Sequence, residues 1–122
     1  MSLDVYLTDP RGVEKECIHC GSTYTENKEL FSANITHNLA KMAGEAGIYE
    51  HLWRPDEIGI EYARDLIEPL SKGLADMKDR PKHYKKFNAE NGWGLYKHFV
   101  PWIERYLEAC IEYPDSLVGV YR

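Results

Sequence analysis

Apolar and polar side chains alternate at the start of the chain, in Leu3-Asp4-Val5-Tyr6-Leu7-Thr8. A period of two predicts a strand with one buried face. Asp9-Pro10-Arg11-Gly12 carries the turn residues expected to end it. From 13 to 28 the chain is polar and holds Cys17-Ile18-His19-Cys20-Gly21, which reads as a hairpin or loop insert. Glu29-Leu30-Phe31-Ser32-Ala33 reads as a second strand leading to Asn34.

The period then changes to three and four. Leu39, Met42, Ala43 and Ala46 fall on one stripe and predict a helix over 36–46. Thr36 suits its N-cap, Ile35 can staple the first turn, and Gly47 suits its end. After a mixed connector, Ala63, Leu66, Ile67, Leu70, Leu74 and Met77 predict a helix over about 59–79. Pro69 interrupts that stripe, so the helix kinks there or two short helices meet. A polar connector over 81–91 has room for one helical turn. Phe99, Ile103, Tyr106, Leu107 and Cys110 mark a last helix that starts between 94 and 101 and ends near 113, with Pro101 suited to its first turn. Residues 117–122 read as a terminal strand. The expected fold is α+β: three to four helices packed on a small sheet formed by the N- and C-terminal strands. It is a single globular domain, 1–122, with a polar insert at about 10–28.

Composition narrows the class. A chain of 122 residues, 43% hydrophobic and 29% charged, is long enough to bury its own core. Its formal charge of −5 opposes general nucleic-acid binding and attraction to an anionic membrane. The opening residues lack the basic start and apolar run of a signal peptide, and no stretch reaches the ~18–20 apolar residues of a membrane span. Three cysteines without a secretion signal point to a reducing, cytoplasmic setting. Nine Tyr and three Trp supply aromatic rings with polar handles, which serve cores and binding sites equally.

Candidate chemistry gathers in three places. Asn34, Thr36, His37 and Asn38 crowd amides, a hydroxyl and an imidazole at a helix start. They suit a base edge, a ribose or a phosphate, with His37 as a neutral donor or acceptor; equally, Thr36 and Asn34 are helix caps and His37 lies on the surface. Trp53-Arg54 offers a stacking plane and a phosphate clamp, against a core Trp and an Arg54 paired with Asp56 or Glu57. Asn91-Gly92-Trp93-Gly94, with Tyr96, is a glycine-flanked loop that lets a ligand approach, or a turn that packs Trp93 under the next helix. Lys82 and Lys85, in a basic run over 78–86, are candidate rim cations or a solvated face.

Cys17 and Cys20 are half of a zinc knuckle, so a structural zinc is the one candidate metal; no cofactor is required. Cys110 belongs to an apolar stripe. Hydrolase and phosphate-loop motifs are absent from the sequence, and paired carboxylates such as Asp56/Glu57 and Asp65/Glu68 read as helix-start and solvent-face charges. No residue is assigned a catalytic role.

The run Ala33-Asn34-Ile35-Thr36-His37-Asn38-Leu39 resembles the signature of a family of small uncharacterised bacteriophage and prophage proteins. So do Met42-Ala43 through Gly47-Ile48-Tyr49, Leu52-Trp53-Arg54-Pro55, Leu66-Ile67-Glu68-Pro69-Leu70, Asn91-Gly92-Trp93-Gly94 with Tyr96, and Tyr106-Leu107-Glu108-Ala109-Cys110. The likeness covers roughly residues 1–8 and 30–122. The ending Val118-Gly119-Val120-Tyr121-Arg122 departs from the family's Ser-rich end, so no role rests on those residues apart from Arg122. The resemblance implies a phage-type accessory protein acting in the host cytosol and transfers no catalytic residue. Such proteins often bind a host defence protein or a signalling nucleotide.

Three functions follow as expectations. The first is binding of a small polar, nucleotide-like ligand without turnover, in a site that two subunits of a homo-oligomer could share. The second is inhibition of a host protein by docking through Glu104, Glu108, Glu112 and Asp115, carboxylates that could equally be a solvated helix face. The third is a metal-assisted hydrolase built on His37.

Overall fold

A computed structural model describes the backbone of residues 2–16 and 23–122 and the side chains of 2–9 and 29–122. The order of elements is β1 (Ser2–Glu16), β2 (Thr23–Thr36), a 3-10 turn (His37–Leu39), α1 (Ala40–Glu45), α2 (Tyr49–Trp53), a second 3-10 turn (Pro55–Ile58), α3 (Arg64–Asp79), α4 (Pro81–Lys85), α5 (Tyr96–Glu112) and β3 (Leu117–Tyr121). Among the described residues the fold is α+β, with five helices on a three-stranded antiparallel sheet. Strand order is β2-β1-β3, so the first and last strands pair directly and β2 completes the sheet.

The alternation at the N-terminus does what a period of two requires. Leu3, Val5 and Leu7 are fully buried, while Asp4, Tyr6 and Thr8 lie on the opposite face. The Asp9–Gly12 turn signal does not end the strand. β1 continues to Glu16, and the signal appears as a register irregularity against β2 between Asp9 and Val13. A proline cannot donate to the ladder and a glycine relaxes it, so both are absorbed by a bulge. Cys17 and Cys20 lie outside the described residues.

The helical stripes close the core. From α3, Leu66, Leu70, Leu74 and Met77 are buried; from α5, Phe99, Trp102, Ile103, Tyr106 and Cys110 are. Each fully buried side chain of this size contributes about 1.5–3 kcal/mol. Pro69 does not divide α3, which is one continuous helix starting at Arg64 rather than near 59. Residues 55–63 go instead to the 3-10 turn and to a short stretch where Val118 donates to the Glu61 carbonyl at 3.0 Å. Pro101 lies inside α5, in its second turn rather than its first. Gly47 ends the α1 region in the left-handed conformation, at φ 76°.

No described helix is long and apolar enough to cross a membrane.

Candidate functional site

The end of β2, the His37–Leu39 turn, the loop before α5 and the first three turns of α5 enclose a cleft of about 1190 Å³. Asn34, Thr36, His37 and Asn38 line it, and so do Asn91 and Trp93. The two polar clusters, more than fifty residues apart in sequence, therefore share one wall. A hydrogen bond joins them: Asn38 Nδ2 donates to the Trp93 carbonyl at 2.7 Å.

Much of the first cluster's hydrogen-bonding capacity is spent on holding this wall. Thr36 Oγ1 accepts from the Asn38 N–H at 3.3 Å, the cap expected of it. Asn34 caps nothing; its Nδ2 donates to Ser2 Oγ at 2.8 Å and to Asp4 Oδ1 at 2.6 Å, across the β1–β2 pair. Its carbonyl accepts from Trp102 Nε1 at 3.0 Å, which pins α5 to the strand. Asn91 Oδ1 accepts from the Trp93 N–H at 3.0 Å and so shapes the loop.

Trp93 is not packed under α5. It is 72% exposed, on the cleft. An indole left this bare by folding presents a free ring face.

Trp53 and Arg54 stand apart from the cleft lining. Trp53 is buried, stacked on Tyr49 at 5.5 Å between centroids, and its indole N–H donates to His37 Nδ1 at 2.8 Å. It reaches the cleft only through that imidazole. Arg54 is occupied by Glu57, at 2.6 Å, and by the Tyr49 hydroxyl, at 3.4 Å. Tyr96 is a brace rather than a wall: its hydroxyl donates to the Met77 carbonyl at 2.8 Å and its N–H to Asn88 Oδ1 at 2.7 Å. Lys82 and Lys85 do not line the cleft; the Lys85 ammonium sits over the Tyr96 ring, 5.7 Å from its centroid.

The cleft's cations come from α5. Lys97 and Arg105 line it, with His98 between them in sequence, and neither has an ion-pair partner among the described residues. No Asp or Glu is among the lining residues, although the chain holds 20 of them. The lining thus carries charge of the opposite sign to the chain as a whole. One signal for these residues was present in the sequence. Positions 97, 101 and 105 recur at i, i+4 and i+8 on the face of α5 opposite its buried stripe.

Among the described residues no group of three or more His, Cys, Asp and Glu is placed to hold a metal ion. The acidic residues in and just after the last helix are partly engaged within the protein: Glu104 pairs with Lys78 at 2.9 Å, and Asp115 with Arg64 at 2.7 Å. Comparison with known proteins finds no matching family model, curated protein or solved structure.

Proposed function

We propose that the protein binds a small, anionic, nucleotide-like ligand in this cleft without chemically changing it. One observation carries the reading: a cleft with two unpaired cations and no carboxylate, in a chain of net charge −5. Opposite charge inside a concave, partly apolar wall concentrates an anion there. The bare Trp93 ring supplies a stacking face for a planar base, worth about 1–3 kcal/mol per base. Lys97 and Arg105 take the phosphate role that the sequence offered to Arg54. The resemblance to phage proteins extends the proposal to its purpose, capture of a nucleotide signal of the host's defence in the host cytosol.

The rival reading, docking of a host protein through Glu104, Glu108, Glu112 and Asp115, is weakened by the internal ion pairs of Glu104 and Asp115. Its remaining carboxylates, Glu108 and Glu112, are exposed.

Calorimetric titration with adenosine and with adenosine 5′-monophosphate tests the proposal. The monophosphate should bind more tightly than the nucleoside, and Lys97→Ala/Arg105→Ala should abolish the difference. Equal affinities, or no heat from either at millimolar concentration, would refute it.

A further inference from the structure

The bond between Trp53 and His37 has a chemical consequence. An indole N–H can only donate, so the His37 Nδ1 that it meets at 2.8 Å must carry the lone pair. In a neutral imidazole the proton then resides on Nε2. Nε2 has no partner among the described residues and is not shut away from solvent, and His37 is one of the residues that line the cleft. Trp53 itself has little freedom. It is 3% exposed, it stacks on Tyr49, and its carbonyl accepts from Arg122 Nη1 at 2.8 Å. Arg122 is in turn held by Asp56 at 2.9 Å.

We infer that Trp53 is a positioning residue that locks His37 in its Nε2–H tautomer, so that His37 faces the cleft as a hydrogen-bond donor. The ligand must then place an acceptor there, a phosphate oxygen or a base or sugar oxygen. The same lock removes the lone pair from the accessible nitrogen. A general base needs that lone pair to take a proton, and a metal ion needs it to bind. This sets His37 apart from the metal-assisted hydrolase that is the third function expected from the sequence.

The ligand part of the inference rests on the binding proposal above; the tautomer part does not, and it is read on the ligand-free protein. Long-range nitrogen–proton correlation spectra of the full chain labelled with 15N-histidine report which ring nitrogen of His37 is protonated. The expected result is protonated Nε2 and unprotonated Nδ1, with a scalar coupling across the bond from Trp53 Hε1 to His37 Nδ1. Protonated Nδ1, or no such coupling, would overturn the inference without any variant being made. Trp53→Phe keeps an aromatic ring and removes the donor. In a variant that retains the wild-type circular dichroism, His37 should become a mixture of tautomers, and an unchanged spectrum would overturn the role of Trp53. Titration of the wild type with adenosine 5′-monophosphate completes the test. His37→Ala should weaken that binding about tenfold, the equivalent of about 1.4 kcal/mol. Unchanged affinity in His37→Ala, with the wild type binding, would overturn the donor role in the cleft. If the wild type does not bind, the binding proposal fails and the spectra alone decide the tautomer.

Discussion

A Cβ on Gly94 would lie 2.9 Å from the Cβ of Asn38 and 3.4 Å from its carbonyl carbon. The loop before α5 approaches the His37–Leu39 turn so closely that only a glycine fits, and Gly94 also adopts φ 125°, which side chains disfavour. This contact, with the adjoining Asn38–Trp93 bond, is what makes one cleft out of two distant motifs. Gly94→Ala should therefore cost about 1–3 kcal/mol in stability by overpacking and backbone strain. Urea denaturation measures it. Gly92→Ala shares the strained backbone, at φ 79°, but meets nothing within 4 Å, so it should cost less.

Tyr6 and Gly119 face each other across the β1–β3 pair, and the Tyr6 ring covers the glycine. A Cβ on Gly119 would run into that ring. Gly119→Ala should destabilise the wild type by about 1 kcal/mol or more through this clash. In a Tyr6→Ala background the same substitution should cost clearly less, and a double-mutant cycle by urea denaturation gives the coupling. Additive costs would mean that the ring moves aside freely.

The hydroxyl of Tyr106 is buried and has no hydrogen-bond partner among the described residues. Burial pushes this phenol far above its ordinary pKa. Removing an unsatisfied polar atom while keeping the ring should be neutral or stabilising by about 1 kcal/mol. Tyr106→Phe is thus expected to match or exceed the wild type in urea midpoint, whereas Tyr106→Ala should lose about 3–5 kcal/mol to the cavity. A lower midpoint for Tyr106→Phe would mean that the hydroxyl finds a partner in solution.

Stability should fall at both ends of the pH scale. The Arg80 guanidinium, and after it the Tyr84 hydroxyl, hold the Asp76 carboxyl below its usual value. A carboxyl depressed by folding stabilises the native state above its unfolded pKa, ~3.9, and loses that contribution as pH drops through the folded value. Asp76→Asn should flatten the acid limb there. At the other end, burial and then the bond to Asp76 push Tyr84 from 10.0 to about 12. Burial alone pushes Cys110 from 9.0 to about 12. Both are raised by folding, so their contributions are complete below the unfolded values and are lost as pH climbs towards 12. Tyr84→Phe and Cys110→Ala should each flatten part of the alkaline limb in urea titrations across pH.

Binding through exposed cations is screened by salt. Affinity for adenosine 5′-monophosphate should fall between low and physiological salt in the wild type and depend little on salt in Lys97→Ala/Arg105→Ala. Trp93 fluorescence should report occupancy, and Trp93→Ala should weaken binding by about 1–3 kcal/mol if the base stacks on it.

Local chemistry was enough to read much of the fold. The alternation of Leu3, Val5 and Leu7, the three- and four-residue stripes of α3 and α5, the Thr36 cap and the Gly47 stop are all rules over a few residues, and burial follows them. Those rules misread Asp9–Gly12 as the end of a strand, because a bulge and a turn draw on the same residues and only the partner strand distinguishes them. They left Trp93 either on a ligand-facing loop or packed under the next helix, and the folded chain leaves it bare. Beyond the Thr36 cap and the local Arg54–Glu57 pair, the polar groups were out of their reach. Sequence names each donor, acceptor and charge, but whether one is spent depends on what lies beside it in space. Asn34 is used by Ser2 and Asp4, Asn38 by the Trp93 carbonyl, Trp53 by His37 and Arg54 by Glu57, whereas Lys97 and Arg105 are left unpaired on the cleft. Strand parity and helical stripes were thus determined by the order of residues. Which polar groups remain available to a ligand was decided only when the chain folded, since most of these pairings join segments far apart in sequence.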